Sequence, residues 1–283
     1  MAYLDSMDAR TGFLARDSVS DKGKELTGAY NAGDPFPHVM IDDFLPPELA
    51  EAMLARFGAD SDAELNRGFD RAQERYKTSY HPDAMEDFSR QVFYAFNSRP
   101  FIKVLENITG IKGLIPDPYY SGAGYHEIRP GGHLSVHADF NHHKLLNLER
   151  RINVLIYLNK DWREEYGGQL ELWDSGMTRQ AHSILPSFNR CVIFNTTSES
   201  MHGNPQMVAC PDGRTRKSIA LYYYTATWDG SKRSHTTQFK VRANSEDARD
   251  WAVRLLELRN DLLPPLLVRG LVRIGHILKR TRP

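Results

Sequence analysis

The pattern of apolar and polar positions changes along the chain. "PFPHVMIDDFLPPELAEAMLARF" opens with a short apolar run and passes through a proline-rich turn. Leu49, Met53, Leu54 and Phe57 then recur at helical spacing. This predicts a strand over His38–Ile41 and a helix begun by prolines, whose missing N–H is harmless in the first turn. Residues 60–110 read as mixed and mostly helical, most clearly in "MEDFSRQVFYAFNSRPFIKVLENITG", with Gly110 as a helix end. From residue 119 the texture turns to strands. "YYSGAGYHEIRPGGHLSVHADF" reads as two alternating segments around a Pro-Gly-Gly turn. "INVLIYLN", "GGQLELWD", "RCVIFNTT" and "KSIALYYYTATW" follow, each of strand length. Several short strands without long helices between them predict antiparallel sheets packed or closed on themselves, as a barrel or jelly roll. The last 40 or so residues return to helix.

Composition adds bounds rather than detail. At 283 residues the chain fits one large domain or two small ones, long enough to bury a core. Lys+Arg and Asp+Glu are both 36, so no global field for nucleic acid is expected. Cys191 and Cys210 lack a paired metal spacing and read as reduced thiols of a cytoplasmic protein. The start, "MAYLDSMDAR", is acidic and not expected to be a signal peptide. No apolar run of about 18 residues predicts a membrane span.

The candidate chemistry centres on "HLSVHADFNHH". On a strand, His137 and Asp139 share a face, so an imidazole and a carboxylate stand side by side. His202 in "SESMHGNPQ" is the candidate third ligand. Two histidines and one carboxylate leave three open metal positions, as at non-haem Fe(II) sites. Taken alone, these residues read more readily as a solvated strand histidine beside an exposed aspartate. A zinc hydrolase at the same triad and a binding module without turnover are the competing readings. "RTRKSIALYYYT" adds basic residues at a strand start, where a buried arginine would bind a carboxylate bidentately.

Four segments taken together resemble the 2-oxoglutarate and Fe(II)-dependent dioxygenases of the prolyl-4-hydroxylase type. They are "YHEIRPGGHLSVHADFN", "RRINVLIYLNKDWREEYGGQLELWD", "NRCVIFNTTSESMHGNPQ" and "RTRKSIALYYYT", and the likeness spans roughly residues 35–228 in order. The resemblance implies an α+β, mainly β fold with a double-stranded β-helix (jelly-roll) core and flanking N-terminal and C-terminal helices. It implies a polar N-terminal extension over 1–34, a dioxygenase domain over 35–235 and a C-terminal helical segment over 236–283. His137, Asp139 and His202 match the iron ligands, and Arg216 matches the residue pairing with the far carboxylate of 2-oxoglutarate. By alternation Ser218 and Tyr222 share the face of Arg216, and Lys217 points outward. Tyr157, with Asn153 on its strand face, matches a tyrosine that hydrogen-bonds the same carboxylate. Tyr125, Glu127 and Arg129 form a polar face either lining the pocket or wetting an edge, with Tyr125 assigned to the pocket. His142 and His143 read as a solvated loop pair, and His133 as structural or near the pocket mouth.

The implied reaction consumes 2-oxoglutarate and O2, gives succinate and CO2, and hydroxylates an unactivated C–H, with ascorbate as an optional reductant. Desaturation or ring closure shares the same ligands. The carboxylate of Asp139 disfavours halogenation, because halogenating relatives lack it. The expected substrate is a polar small molecule, sugar, amino acid or peptide, read by residues 60–100 and 140–150. In "LLVRGLVRIGHILKR", Arg269, Arg273, His276 and Arg280 recur at helical spacing. That basic amphipathic pattern fits a membrane surface, a partner, the domain's own core or a second subunit in a homodimer.

Overall fold

The computed structural model describes residues 1–247, apart from 60, 212, 230, 244 and 246. The helical segment expected toward the C-terminus, with its membrane or partner contact, lies outside the described residues.

In chain order the elements are α1 (Thr27–Asn31), β1 (His38–Ile41), α2 (Pro47–Ala55), β2 (Arg67–Arg71), β3 (Glu74–Tyr80), α3 (Asp87–Phe96) and α4 (Arg99–Thr109). Then follow β4 (Ile115–Pro116), β5 (Gly124–Ala138), β6 (His142–His143), β7 (Leu148–Tyr157), β8 (Leu170–Trp173) and β9 (Gln180–Ile184). The last are β10 (Cys191–Asn195), β11 (Met201–Asn204), β12 (Arg216–Thr225) and β13 (Gln238–Phe239). The protein is mainly β. One antiparallel sheet runs β1-β10-β7-β12-β5-β11-β8-β9 and curls into a jelly-roll core.

β5 carries the curl. Its residues 124–128 pair with β12 on one edge, whereas Leu134 and His137 pair with β11. The other edge is held by β3 and then, at His137 and Ala138, by β13. The neighbours therefore change along one strand, and the sheet opens between β12 and β11. The expected Pro-Gly-Gly hairpin is absent: the chain runs through as one 15-residue strand. Gly131 takes φ 81°, and its N–H donates to the Val208 carbonyl at 2.7 Å, so the glycine absorbs the bend instead of reversing the chain.

The sheet buries both faces. On one, Ile152, Val154 and Ile156 of β7 pack with Ile219 and Leu221 against α2, α3 and α4. On the other, Tyr157 joins Phe194, Leu170 and Leu172 inside the curl. Two covered faces explain why "INVLIYLN" shows little alternation. The helical reading of 87–109 matches α3 and α4, and Gly110 ends α4 at φ 74°. The mostly helical reading of 60–80 does not hold. There β2 and β3 form a hairpin that continues the sheet beyond β5. Residues 1–34, read as a polar extension, also differ from expectation. Leu4, Met7, Leu14, Val19 and Tyr30 are buried in the helix-side core. Asn107 of α4 donates from Nδ2 to the carbonyls of Ser20 and Lys22, which clasps this segment to the helix. No helix among the described residues is long and apolar enough to cross a membrane.

Candidate active site

His137 and Asp139 sit at the C-terminal end of β5 and just beyond it, and His202 lies directly across on β11. Such close pairing needs a small residue after His202. A Cβ on Gly203 would meet the backbone oxygens of Leu134 and Ser135, each at 2.9 Å. The two imidazoles are oriented identically. The His137 Nδ1 lies 2.8 Å from the Ser135 carbonyl and the His202 Nδ1 3.0 Å from that of Ser200. A carbonyl only accepts, so each Nδ1 carries the proton and each Nε2 keeps its lone pair. The Nε2 atoms face Asp139, at 3.6 Å from Oδ1 for His137 and 3.4 Å from Oδ2 for His202.

These separations fit a metal. Ligands at about 2.1 Å and 90–120° apart lie about 3.0–3.6 Å from each other. All three ligand atoms fall within 4.8 Å of one another, and they form the one such cluster among the described residues. Burial, with the neighbouring His202, pushes the His137 imidazole below its ordinary value, so it stays neutral and able to ligate. Burial alone would raise Asp139. Arg150 and the two histidines override it and hold the carboxyl well below the usual range.

Arg150 was not singled out from the sequence. It is 2% exposed, and its Nη2 donates to Asp139 Oδ2 at 3.0 Å and to Asn153 Oδ1 at 2.7 Å. The guanidinium lies 3.6 Å from the Tyr222 ring centroid and 4.4 Å from that of Phe140. A bulge hides it. Tyr223 opposes Ile152 but Tyr224 opposes Arg150, so Arg151 is the extra residue and Arg150 falls in phase with Asn153. Asn153 spends its own polar atoms nearby: Nδ2 donates to Asp139 Oδ2 at 2.7 Å and Oδ1 accepts from Arg150.

The triad opens on a cavity of about 450 Å³, within the range of small-molecule sites. Arg216 and Ser218 of β12 line it with Asn153, Leu155 and Leu170. Arg216 is buried. Its Nε donates to the Gly168 carbonyl at 2.7 Å, and its Cζ stands 5.0 Å over the Tyr157 ring. A Cβ at Gly168 would meet Arg216 Cδ at 2.8 Å, so a glycine there lets the guanidinium in. Tyr157 lies behind Arg216 with its hydroxyl buried. Lys217 points the other way, 3.4 Å from Glu127 Oε1.

Tyr125 does not join this group. It faces the helix-side core, and its hydroxyl donates to the Ser89 carbonyl at 2.9 Å. The pocket takes its neighbours His126 and Ile128 instead. Pairing slips between Leu134 and His137, so the alternation that selects His137 reverses upstream of the bulge. His126 Nε2 and Asn204 Nδ2 are buried, line the cavity and have no partner among the described residues. Such atoms are what a polar cosubstrate would satisfy. The tandem histidines are not solvated loop residues. They form β6 against β7, with His143 buried 3.3 Å from Asp117 and His142 stacked on Trp228. His133 is not among the residues that line the cavity; its Nε2 lies 3.1 Å from the Ala72 carbonyl. Phe239 of β13 stands 5.4 Å from the His137 ring, in a segment read from the sequence as helical.

Residues 123–224 match the family model of the 2OG-Fe(II) oxygenase superfamily. A mouse (Mus musculus) prolyl 3-hydroxylase, OGFOD1, is 30% identical over 79 residues, which cover 26% of this chain and 14% of that protein. The match therefore spans about a seventh of the relative's length. A Trichoplax adhaerens prolyl hydroxylase, solved with a hypoxia-inducible-factor peptide, aligns at TM-score 0.51 and 15% identity. That alignment covers 74% of this chain and 92% of the other. A Pseudomonas putida prolyl-4-hydroxylase aligns at TM-score 0.49 and 18% identity, covering 71% and 98% of the two chains. Over residues 123–224 the chain is thus similar to the 2OG-Fe(II) oxygenase superfamily, and the jelly-roll fold around that region is similar to that of the Trichoplax prolyl hydroxylase.

Proposed function

We propose that the protein is an Fe(II)- and 2-oxoglutarate-dependent dioxygenase that hydroxylates a C–H of a polar small molecule or peptide. The observation that carries this reading is one cavity holding both a two-histidine, one-carboxylate triad and a buried arginine opposite it. His137, Asp139 and His202 would hold Fe(II). Arg216 would pair with the far carboxylate of 2-oxoglutarate, with Ser218 beside it and Tyr157 backing the guanidinium. Bound there, Fe(II), 2-oxoglutarate and O2 supply the oxidising chemistry, which yields succinate and CO2 with the oxidised product.

The chain's own residues orient and shield. The Ser135 and Ser200 carbonyls fix the tautomer of each imidazole. Arg150 and Asn153 occupy Asp139 Oδ2 and leave Oδ1 the freer oxygen. The buried Leu170 and the half-buried Leu155 and Phe239 give the cavity an apolar side that limits bulk water. The prolyl hydroxylases among the relatives support a peptide as one candidate substrate class. A zinc hydrolase at the triad would leave Arg216 without a role.

Anaerobic titration tests the cofactor assignment. Adding 2-oxoglutarate to the Fe(II)-loaded protein should raise a visible charge-transfer band of the chelate. The band should vanish in His137→Ala and need at least tenfold more 2-oxoglutarate in Arg216→Ala. A silent titration, with Zn(II)-dependent hydrolysis instead, would reverse the reading.

A further inference from the structure

The mouth of the cavity is roofed by the β2–β3 hairpin, whose pocket-facing charges are unbalanced. Arg67, Phe69 and Arg71 share one face of β2, and Lys77 of β3 lines the same space. Against these three cations the hairpin offers one pocket-facing carboxylate, Glu74. Glu74 is already shared, with Lys77 Nζ at 2.9 Å and Arg71 Nη2 at 3.0 Å. The Arg67 guanidinium has no hydrogen-bond or ion-pair partner among the described residues.

Nothing deeper in the cavity absorbs this excess. Arg150 is matched by Asp139. On the proposed reading, Fe(II) would be balanced by the two carboxylates of 2-oxoglutarate, and Arg216 would add a further positive charge. The roof is also close to the chemistry. Arg71 Cζ stands 5.3 Å over the Phe239 ring, and that ring lies 5.4 Å from the His137 imidazole. One aromatic ring thus separates the cation from the metal-ligating histidine. Glu74 pairs with Leu134 on β5, three residues from His137, which is about 10 Å along a strand.

We infer that the substrate carries an anionic group, a carboxylate or phosphate, which Arg67 and Arg71 of the hairpin grip beside the metal. Guanidinium forks suit such groups, which they grip bidentately. The inference rests on the proposed metal and cosubstrate site, and the test keeps the two apart.

The full chain is loaded with Mn(II) and saturating 2-oxoglutarate, and the 31P relaxation of small probes is measured. The probes are methylphosphonate, a dianion, and its neutral dimethyl ester. Methylphosphonate should be relaxed saturably and at least tenfold more than the ester. Arg67→Ala with Arg71→Ala should reduce that effect at least fivefold, and the double lysine variant should restore most of it. Should the double alanine variant fail to fold, Arg67→Ala alone carries the test, because its side chain is exposed and unpaired. Free O-phospho-L-serine and the same residue within a short peptide separate a free acid from a peptide-borne one. Relaxation of either supports the inference. Equal relaxation of anion and ester, relaxation of none of the phosphates, or indifference to the alanine changes overturns it. Water-proton relaxation reports Mn(II) binding separately. Its absence from the wild-type chain, unchanged by His137→Ala, would instead overturn the metal site.

Discussion

His126 shows what burial does to one side chain. It faces the cavity, and burial together with the cations Lys77, Arg216 and Arg150 holds its imidazole well below the ordinary value. The folded protein therefore keeps His126 neutral below about pH 6.5, where the unfolded chain takes up a proton. Stability is lost as pH falls through that unfolded value, by up to about 1.4 kcal/mol per pH unit for this one group. His126→Asn should flatten the loss between pH 6.5 and 5 in denaturant titrations; an unchanged slope would contradict the assignment. Tyr125 and Arg216 make a second contrast. Tyr125→Phe removes a hydrogen bond in the helix-side core and should cost about 1 kcal/mol without changing the KM for 2-oxoglutarate. Arg216→Met removes a charge-assisted contact of about 1.5–3 kcal/mol and should raise that KM tenfold or more. The difference between these residues was only half legible. Arg216 and Ser218 lie on a regular strand, where counting by two works. Tyr125 and Arg150 lie beyond bulges, where the count inverts, and no residue type in "PGGHLSVH" or "LERRIN" marks the slip.

At the level of elements, legibility followed periodicity. The apolar stretches of β7, β10 and β12 and the helices α3 and α4 announce themselves through uninterrupted or 3.6-residue patterns. The β2–β3 hairpin, "RGFDRAQERYKTSY", does not. Both its faces are polar, because one meets solvent and the other lines the cavity. The first 30 residues hid for a different reason. Their buried Leu4, Met7, Leu14 and Val19 are spaced by wrapping over α4 and the strand ends rather than by any regular element. β13, two residues long, is held by pairing with β5 at Ala138 and His137. Phe239 is only half-buried, so Phe239→Ala should cost about 1 kcal/mol or less of stability. It should nonetheless release Fe(II) severalfold faster to an external chelator, because the ring shields His137. A release rate equal to wild type would show that β13 does not guard the metal.

For the whole molecule, a net charge of zero conceals a local asymmetry. The 36 basic and 36 acidic residues cancel overall, while the cavity roof gathers Arg67, Arg71 and Lys77 around one carboxylate. The curl of the sheet brings together residues far apart in sequence. His137 and His202 meet because β5 exchanges β12 for β11 along one edge, and Arg216 enters from the strand that was exchanged. The His137, Asp139 and His202 triad and the buried Arg216 thus face one cavity from two sides of the same opening. The account stands or falls on turnover. The direct measurement is succinate released from 2-oxoglutarate by the full chain, with and without Fe(II) and in His137→Ala. The account predicts succinate formation that requires Fe(II) and O2 and falls to background in the variant. Fe(II)-independent release, or release that persists in His137→Ala, would contradict it.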